Sequence, residues 1–218
     1  SSWGTAHLYY QPINVLQALE HLLKAENELK EIDTYRYDVV DVTRQVLADY
    51  GKYIHKCIAD AYYEKNTEKF DFYTSKFLQM ISDQDLLLST RKEFLLGEFI
   101  RQADACGADP MEKRMFINNA KRQITTWASV NSSLHEYAHK EWNGILSTLY
   151  APRWKAYFNY LRAKLKGKNP KEIDFFTMET DWIESQEEFP AVPIKKEIEI
   201  AKTIYHNYSN EIKQAYLK

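Results

Sequence analysis

The chain has 218 residues, 44% of them hydrophobic and 28% charged, with a formal net charge of −2 at pH 7. That length suits about one domain with a sizeable buried core. The two signs of charge are interspersed and no basic tract stands out, so nucleic acid is not expected as a partner; no apolar run reaches membrane-spanning length, so insertion into a bilayer is not expected either.

The opening SSWGTAHLYY has neither the basic start nor the apolar stretch of an export signal, and a chain that begins at Ser leaves its compartment open. Pro12 opens a first helix with Ile13, Leu16, Leu19, Leu22, Leu23 and Leu29 on its face. A second runs from about Tyr35 to about Glu64. Within YRYDVVDVTRQVLADYGKYIHKC, Val39, Val42, Val46, Tyr53 and Cys57 recur at three- and four-residue steps, with Tyr50 between, which makes one apolar stripe. Asp38 lies four residues before Val42 on the same side, and Asp41 precedes Arg44 by three. An acid on a buried edge needs a partner. Asp38 and Arg44 are therefore expected in a buried structural network, with an acid/base site as the sharper alternative.

Thr67 to Leu88 reads as a third helix, with Phe70, Phe77, Met80 and Ile81 as its apolar side. A fourth spans about Arg91 to Ala105, and Gly107 is a natural stop. Asp109 is the expected N-cap of a fifth, with Pro110 at its first position. After Trp127 the polar ASVNSS reads as a loop. A sixth helix is expected from about Ser132 to Tyr150. A seventh starts at Pro152 and closes at Gly167; an eighth is capped by Asn169, with Pro170 in its first turn. FPAVP is a rigid connector to a last helix over roughly Lys195 to Tyr216. No stretch alternates as a strand does. The expectation is an all-α fold, a multi-helix bundle of roughly eight or nine helices forming one domain over residues 1–218.

Motifs for chemistry are few. The two cysteines, Cys57 and Cys106, form no CxxC pair, suggest no zinc site and read as buried thiols on apolar helix faces. Glu136 and His139 have the Glu-x-x-His spacing that puts both side chains on one helix face. A di-iron bundle needs two such motifs and two further glutamates, and there is one copy here. No metal and no cofactor is expected. Carboxylates for glycoside chemistry are abundant, but no spacing selects a pair. GxSxG, P-loop and Cys/His patterns of nucleophilic type are missing. Asn131-Ser132-Ser133 and Asn207-Tyr208-Ser209 match the glycosylation sequon. Aromatic residues reach 14%, with 16 tyrosines; that suits aromatic packing seams or a sugar-binding surface. Trp127 and Tyr137 flank the polar loop and read equally as core aromatics closing a hairpin or as a wall facing a ligand.

Four blocks in order, YRYDVVDVTRQVL (35–47), FLLGEFIRQA (94–103), NNAKRQITTW (118–127) and EYAHKEWNGILSTLYAPRW (136–154), together resemble the C-terminal helical domain of the α-N-acetylglucosaminidases, glycoside hydrolase family 89. The resemblance is strongest between Tyr35 and Trp154. It implies part of a retaining glycosidase that removes terminal α-linked N-acetylglucosamine from glycans, with two catalytic glutamates on a (β/α)₈ barrel that this chain lacks. No catalytic residue is then expected in this segment, which alone should be inactive. Its partners would be the barrel of the same polypeptide and the glycan, and its location extracytoplasmic: secreted or periplasmic if bacterial, lysosomal if animal. By position, the resemblance assigns Trp127, Leu134 and Tyr137 to the substrate pocket. The loop 128–133, His139 in place of Asn, Lys121 in place of Arg and Phe99 in place of Trp depart from the family pattern. Two rivals remain: a free-standing carbohydrate-binding or protein-interaction module, and a metal-binding bundle enzyme built on Glu136 and His139.

Overall fold

The structure, a computed structural model, describes residues 8–217. Residues 1–7, most of the stretch bearing on an export signal, lie outside that range. The described residues contain no strand, and nine α-helices carry the fold: α1 (Pro12–Lys24), α2 (Glu26–Leu29), α3 (Asp33–Tyr63), α4 (Thr67–Leu88), α5 (Leu96–Asp104), α6 (Pro110–Gln123), α7 (Ala151–Leu165), α8 (Phe175–Glu184) and α9 (Glu197–Tyr216). The all-α expectation is met. No helix among the described residues is long and apolar enough to cross a membrane. The chain divides into two compact units: one runs to Arg91 and resumes at Ile194, and the other is Lys92–Pro193.

In the first unit α3 is the axis. It buries Val39, Val46, Leu47, Tyr50, Ile54 and Ile58 against Leu16 and Leu19 of α1, Phe70, Met80, Leu87 and Leu88 of α4, and Ile204, Tyr208 and Ile212 of α9. Tyrosines form a seam along it. The Tyr50 and Tyr53 rings stack at 6.0 Å, Tyr208 meets Tyr50 edge-on at 6.1 Å, and Tyr216 lies 6.0 Å from Tyr53. Their hydroxyls are placed as well: Tyr50 donates to Glu211, Tyr208 to Asp83, and Tyr216 to the Asp49 carbonyl. Here, then, the aromatic excess builds core.

The apolar stripe on α3 is rotated from its expected setting. Ile54, Ile58 and Ala61 are its buried C-terminal members, while Tyr53 and Cys57 are half-buried. Asp38 is exposed, which corrects the expected buried network, and Arg44 pairs at the surface edge with Asp41 at 2.6 Å. The buried acid of this helix is Asp49, whose Oδ1 accepts from Tyr10 at 2.8 Å and from Gln45 at 2.9 Å. Asp49 lies three residues after Val46 and continues the stripe that Asp38 leaves.

The second unit departs further from expectation. The fourth helix is interrupted. Lys92–Phe94 form a single 3₁₀ turn, and Leu95 then bridges Asn143 before α5 begins. Cys106 lies beyond the end of α5 and is exposed, so it is not a buried thiol. Asp109 does cap α6, accepting from the amides of Met111 and Glu112 at 2.8 and 3.0 Å. The expected sixth helix over 132–150 does not form. Only Leu146–Tyr150 is helical, as one π turn running into α7. Asn, Ser, His and Trp dominate 131–143 and favour helix weakly, and Glu136 and Gly144 have φ of +54° and +96°, which no right-handed helix accommodates. At α8 the cap is Asp174, which accepts from the Thr177 amide at 2.9 Å; residues 168–174 are not helical, so Asn169 caps nothing. The core of this unit is Leu96, Ile124, Ile145, Leu149, Trp182 and Ile183, with Phe99 and Trp142 packed on it 5.3 Å apart.

Candidate functional site

Between α6 and the π turn the backbone crosses about twenty residues of irregular loop, uncommonly long for a compact unit and of a kind that often carries function. Its base is tied. The Trp127 amide donates to the Arg122 carbonyl at 2.9 Å, and the Glu136 amide donates to Thr125 at 2.9 Å. Within it, Ser132 N reaches Ser129 O at 2.9 Å, and a His135 ring nitrogen lies 2.8 Å from the same carbonyl. At the far end Asn143 donates to Phe94 at 2.8 Å.

The loop presents Trp127 (42% exposed), Leu134 (40%) and Tyr137 (67%). Ring centroids of Trp127 and Tyr137 are 5.5 Å apart at 49°, so the two aromatics that flank the loop in sequence meet at its mouth. Leu134 lies on the same segment, its amide donating to Ser132 Oγ at 3.0 Å. Large stiff rings left facing outward are a surface on which an apolar sugar face can stack. Trp127 has φ +58° and Glu136 φ +54°. Non-glycine residues enter this left-handed region at a cost of roughly 1–2 kcal/mol each, and the surroundings must hold them there.

What holds Glu136 is a charged cluster that the sequence did not disclose. Its carboxylate is bound by Arg153 of α7, whose guanidinium also lies 2.8 Å from Glu179 of α8 and over the Phe175 ring at 5.2 Å. The neighbouring His135 ring sits 5.3 Å from Phe176. Tyr150 stands beside the cluster, its hydroxyl pushed up in pKa by burial and then by Glu136. Glu179 is 4% exposed. Burial raises its pKa to about 7, Arg153 opposes the shift, and Glu136 adds to it. One guanidinium faces two carboxylates here, and the deeper one, Glu179, holds its proton to a higher pH than an ordinary carboxylate does. The Glu-x-x-His reading is corrected at the same point, since Glu136 and His139 lie on a loop rather than a helix face. No group of three or more His, Cys, Asp or Glu side chains among the described residues is arranged to hold a metal ion.

Glu179 therefore makes stability pH-dependent. A carboxyl whose folded pKa exceeds its ordinary 4.5 contributes fully below that value and loses the contribution as pH rises through about 7. Thermal melts at pH 5 and pH 8 are expected to show a fall on the order of 2 kcal/mol that Glu179→Gln largely removes, because the amide stays neutral throughout. An equal fall in both proteins would place the titrating group elsewhere.

Behind the loop, Lys121 of α6 is almost wholly buried (1% exposed). Its amine donates to the carbonyls of Ser185 at 2.9 Å and Trp182 at 3.3 Å, at the C-terminus of α8, and lies 5.0 Å from the Trp182 ring. Burial lowers its pKa. A cation there supplies a donor to the Ser185 carbonyl, adds one to the Trp182 carbonyl that also accepts from Ser185, and faces the negative end of the helix dipole.

Residues 2–207 match the family described as the alpha-N-acetylglucosaminidase (NAGLU) C-terminal domain. The chain is 25% identical to alpha-N-acetylglucosaminidase of Homo sapiens, over 92% of this chain and 28% of that protein. It is also similar to solved structures of a family 89 glycoside hydrolase from Clostridium perfringens. The complex with 2-acetamido-1,2-dideoxynojirmycin superposes with a TM-score of 0.89 at 32% identity, covering 95% of this chain and 25% of that one. The complex with its substrate GlcNAc-alpha-1,4-galactose gives 0.90 at 31% identity, covering 97% and 26%. The chain thus spans about a quarter of the length of these relatives.

Proposed function

The chain belongs to the α-N-acetylglucosaminidase C-terminal domain family, and from that premise we propose that residues 1–218 are the all-helical domain of a longer retaining glycosidase that removes terminal α-linked N-acetylglucosamine from glycans. The acid/base and nucleophile are glutamates of a (β/α)₈ barrel elsewhere in that polypeptide. This domain packs on the barrel and lends Trp127, Leu134 and Tyr137 to the wall of the sugar pocket. The observation that carries the reading is the Trp127–Tyr137 pair, two large rings in contact and both exposed at the mouth of one tied-down loop. An aromatic wall raises the rate by seating the sugar ring and excluding water, and needs no reactive group of its own. The substrate in the complex of the Clostridium perfringens relative, GlcNAc-alpha-1,4-galactose, has the terminal sugar this reading requires. An extracytoplasmic location follows the same resemblance.

The test is hydrolysis of an aryl α-N-acetylglucosaminide by this chain and by the longer gene product. The chain alone is expected to be inactive. In the longer enzyme, Trp127→Ala or Tyr137→Ala is expected to lower kcat/KM roughly tenfold, the loss of about 1.4 kcal/mol of binding. Turnover by the isolated chain would mean that the catalytic carboxylates lie among its own helices. Sugar binding by the isolated chain without turnover would favour the free-standing module.

A further inference from the structure

A loop can serve as a pocket wall only if something fixes it, and little of this one is held by regular structure. The fixing contacts converge on two adjacent residues just before Tyr137. His135 packs on Phe176, while Glu136 is held three ways. Its amide is tied to Thr125, its φ lies in the left-handed region, and its carboxylate is gripped by Arg153. Arg153 is itself aimed. It lies over the Phe175 ring, Glu179 anchors it from α8, and only 18% of its side chain is exposed. A guanidinium fork braced on one side by a buried carboxylate presents its remaining donors in a set direction. The reach is short: Tyr137 follows Glu136 directly, and its ring meets Trp127 at 5.5 Å.

We propose that Arg153 is the positioning residue of the sugar pocket, acting through Glu136 to hold the loop that carries Trp127, Leu134 and Tyr137 in its substrate-ready form. This rests on the reading of that loop as a pocket wall. Arg153 touches no substrate; it sets the backbone at Glu136 and thereby the direction of the Tyr137 ring. Releasing it lets Glu136 leave the left-handed region, and the loop then samples conformations in which the two rings are apart. The cost falls on substrate binding rather than on the chemical step, which belongs to the barrel.

The experiment uses the longer enzyme with two substitutions. Glu136→Gln removes the charge on the loop and leaves the Arg153–Glu179 pair intact. Arg153→Lys keeps a cation beside Glu179 but loses the fork, so neither variant strands a buried charge. Hydrogen exchange of the loop peptide over 128–139 is read by mass spectrometry, alongside kcat and KM for the aryl α-N-acetylglucosaminide. Both variants are expected to exchange roughly tenfold faster in the loop alone, with KM raised about five- to tenfold and kcat within about twofold of the parent. A loop that exchanges at the parent rate in Glu136→Gln overturns the proposal. Faster exchange with an unchanged KM also overturns it; Trp127→Ala then separates the causes. If Trp127→Ala raises KM, the pocket reading stands and only the positioning role of Arg153 is wrong. If Trp127→Ala is silent too, the pocket reading falls with it.

Discussion

Gly97→Ala is expected to destabilise Lys92–Pro193 by about 3 kcal/mol or more, enough to lose the native fold of this unit near physiological temperature. Gly97 sits in the first turn of α5, where the connector after α8 crosses it. A methyl group at its Cα would fall well inside contact distance of the carbonyl oxygens of Phe189 and Pro190. These are backbone atoms, so no rotamer change relieves the overlap; the connector or the helix must shift. The connector also carries Phe189, which packs on the core beside Trp182 at 6.1 Å, so a shift there opens the core. Gly51 supplies the control. It too is helical, but an added methyl would meet only Met80 Cε, at an ordinary 3.8 Å. Gly51→Ala should stabilise by about 0.5–1 kcal/mol, because alanine favours helix and glycine does not. Denaturant melts of the two variants should move in opposite directions. A Gly97→Ala protein as stable as the parent would mean that the close approach of connector and helix is wrong.

Lys121→Ala is expected to cost about 3–4 kcal/mol, from two separable terms. The first is the cavity left by a fully buried four-carbon stem packed near the rings of Trp182 and Phe189. The second is the loss of a charged donor to the C-terminal carbonyls of α8. Lys121→Met separates them, since it restores most of the volume and none of the hydrogen bonds. It should recover roughly half of the loss, because cavity and unmet carbonyl are each worth a few kcal/mol at most. If methionine matches lysine, the amine contributes nothing net and burial of its charge cancels its bonds. If methionine is as poor as alanine, the hydrogen bonds carry the whole effect.

Long periodic segments were legible in the sequence, and so were the ends marked by a specific cap. The helix from Thr67 to Leu88 and the Asp109-Pro110 start of α6 are found as expected. On α3, an apolar pattern that shifts by one residue along 31 residues misplaced the buried edge. The pattern points to Asp38 as the inward acid, whereas Asp49, three residues beyond the buried Val46, is the one that faces in. The larger miss was the stretch 124–145. Its apolar residues, Leu134, Tyr137, Trp142 and Ile145, can be laid on a helical wheel, but three left-handed residues, two of them the non-glycine Trp127 and Glu136, are not visible in a sequence. The same miss hid the Glu136–Arg153–Glu179 cluster. A signal for Glu179 was present: it falls four residues after Phe175, three before Trp182 and four before Ile183, an acid within an apolar stripe. Its partners could not be named, because they come from a loop and a different helix. Trp127 and Tyr137 stand out in the sequence by their place around a polar loop and by the family resemblance, and the structure brings their rings together.

The first unit is discontinuous, and this sets an order of events during synthesis. The tyrosine seam on α3 is completed only by α9: Tyr50 reaches Glu211 across 161 residues of chain. The whole of Lys92–Pro193 must be translated between the two. At bacterial or eukaryotic rates that delay is on the order of ten seconds, long compared with the folding of a small helical unit. The inserted unit therefore has time to fold on the ribosome, while α1, α3 and α4 wait as an open three-helix trough. An aromatic-rich groove left uncovered for seconds is a natural target for a chaperone, and α9 enters it as the last piece, its own docking surface already built.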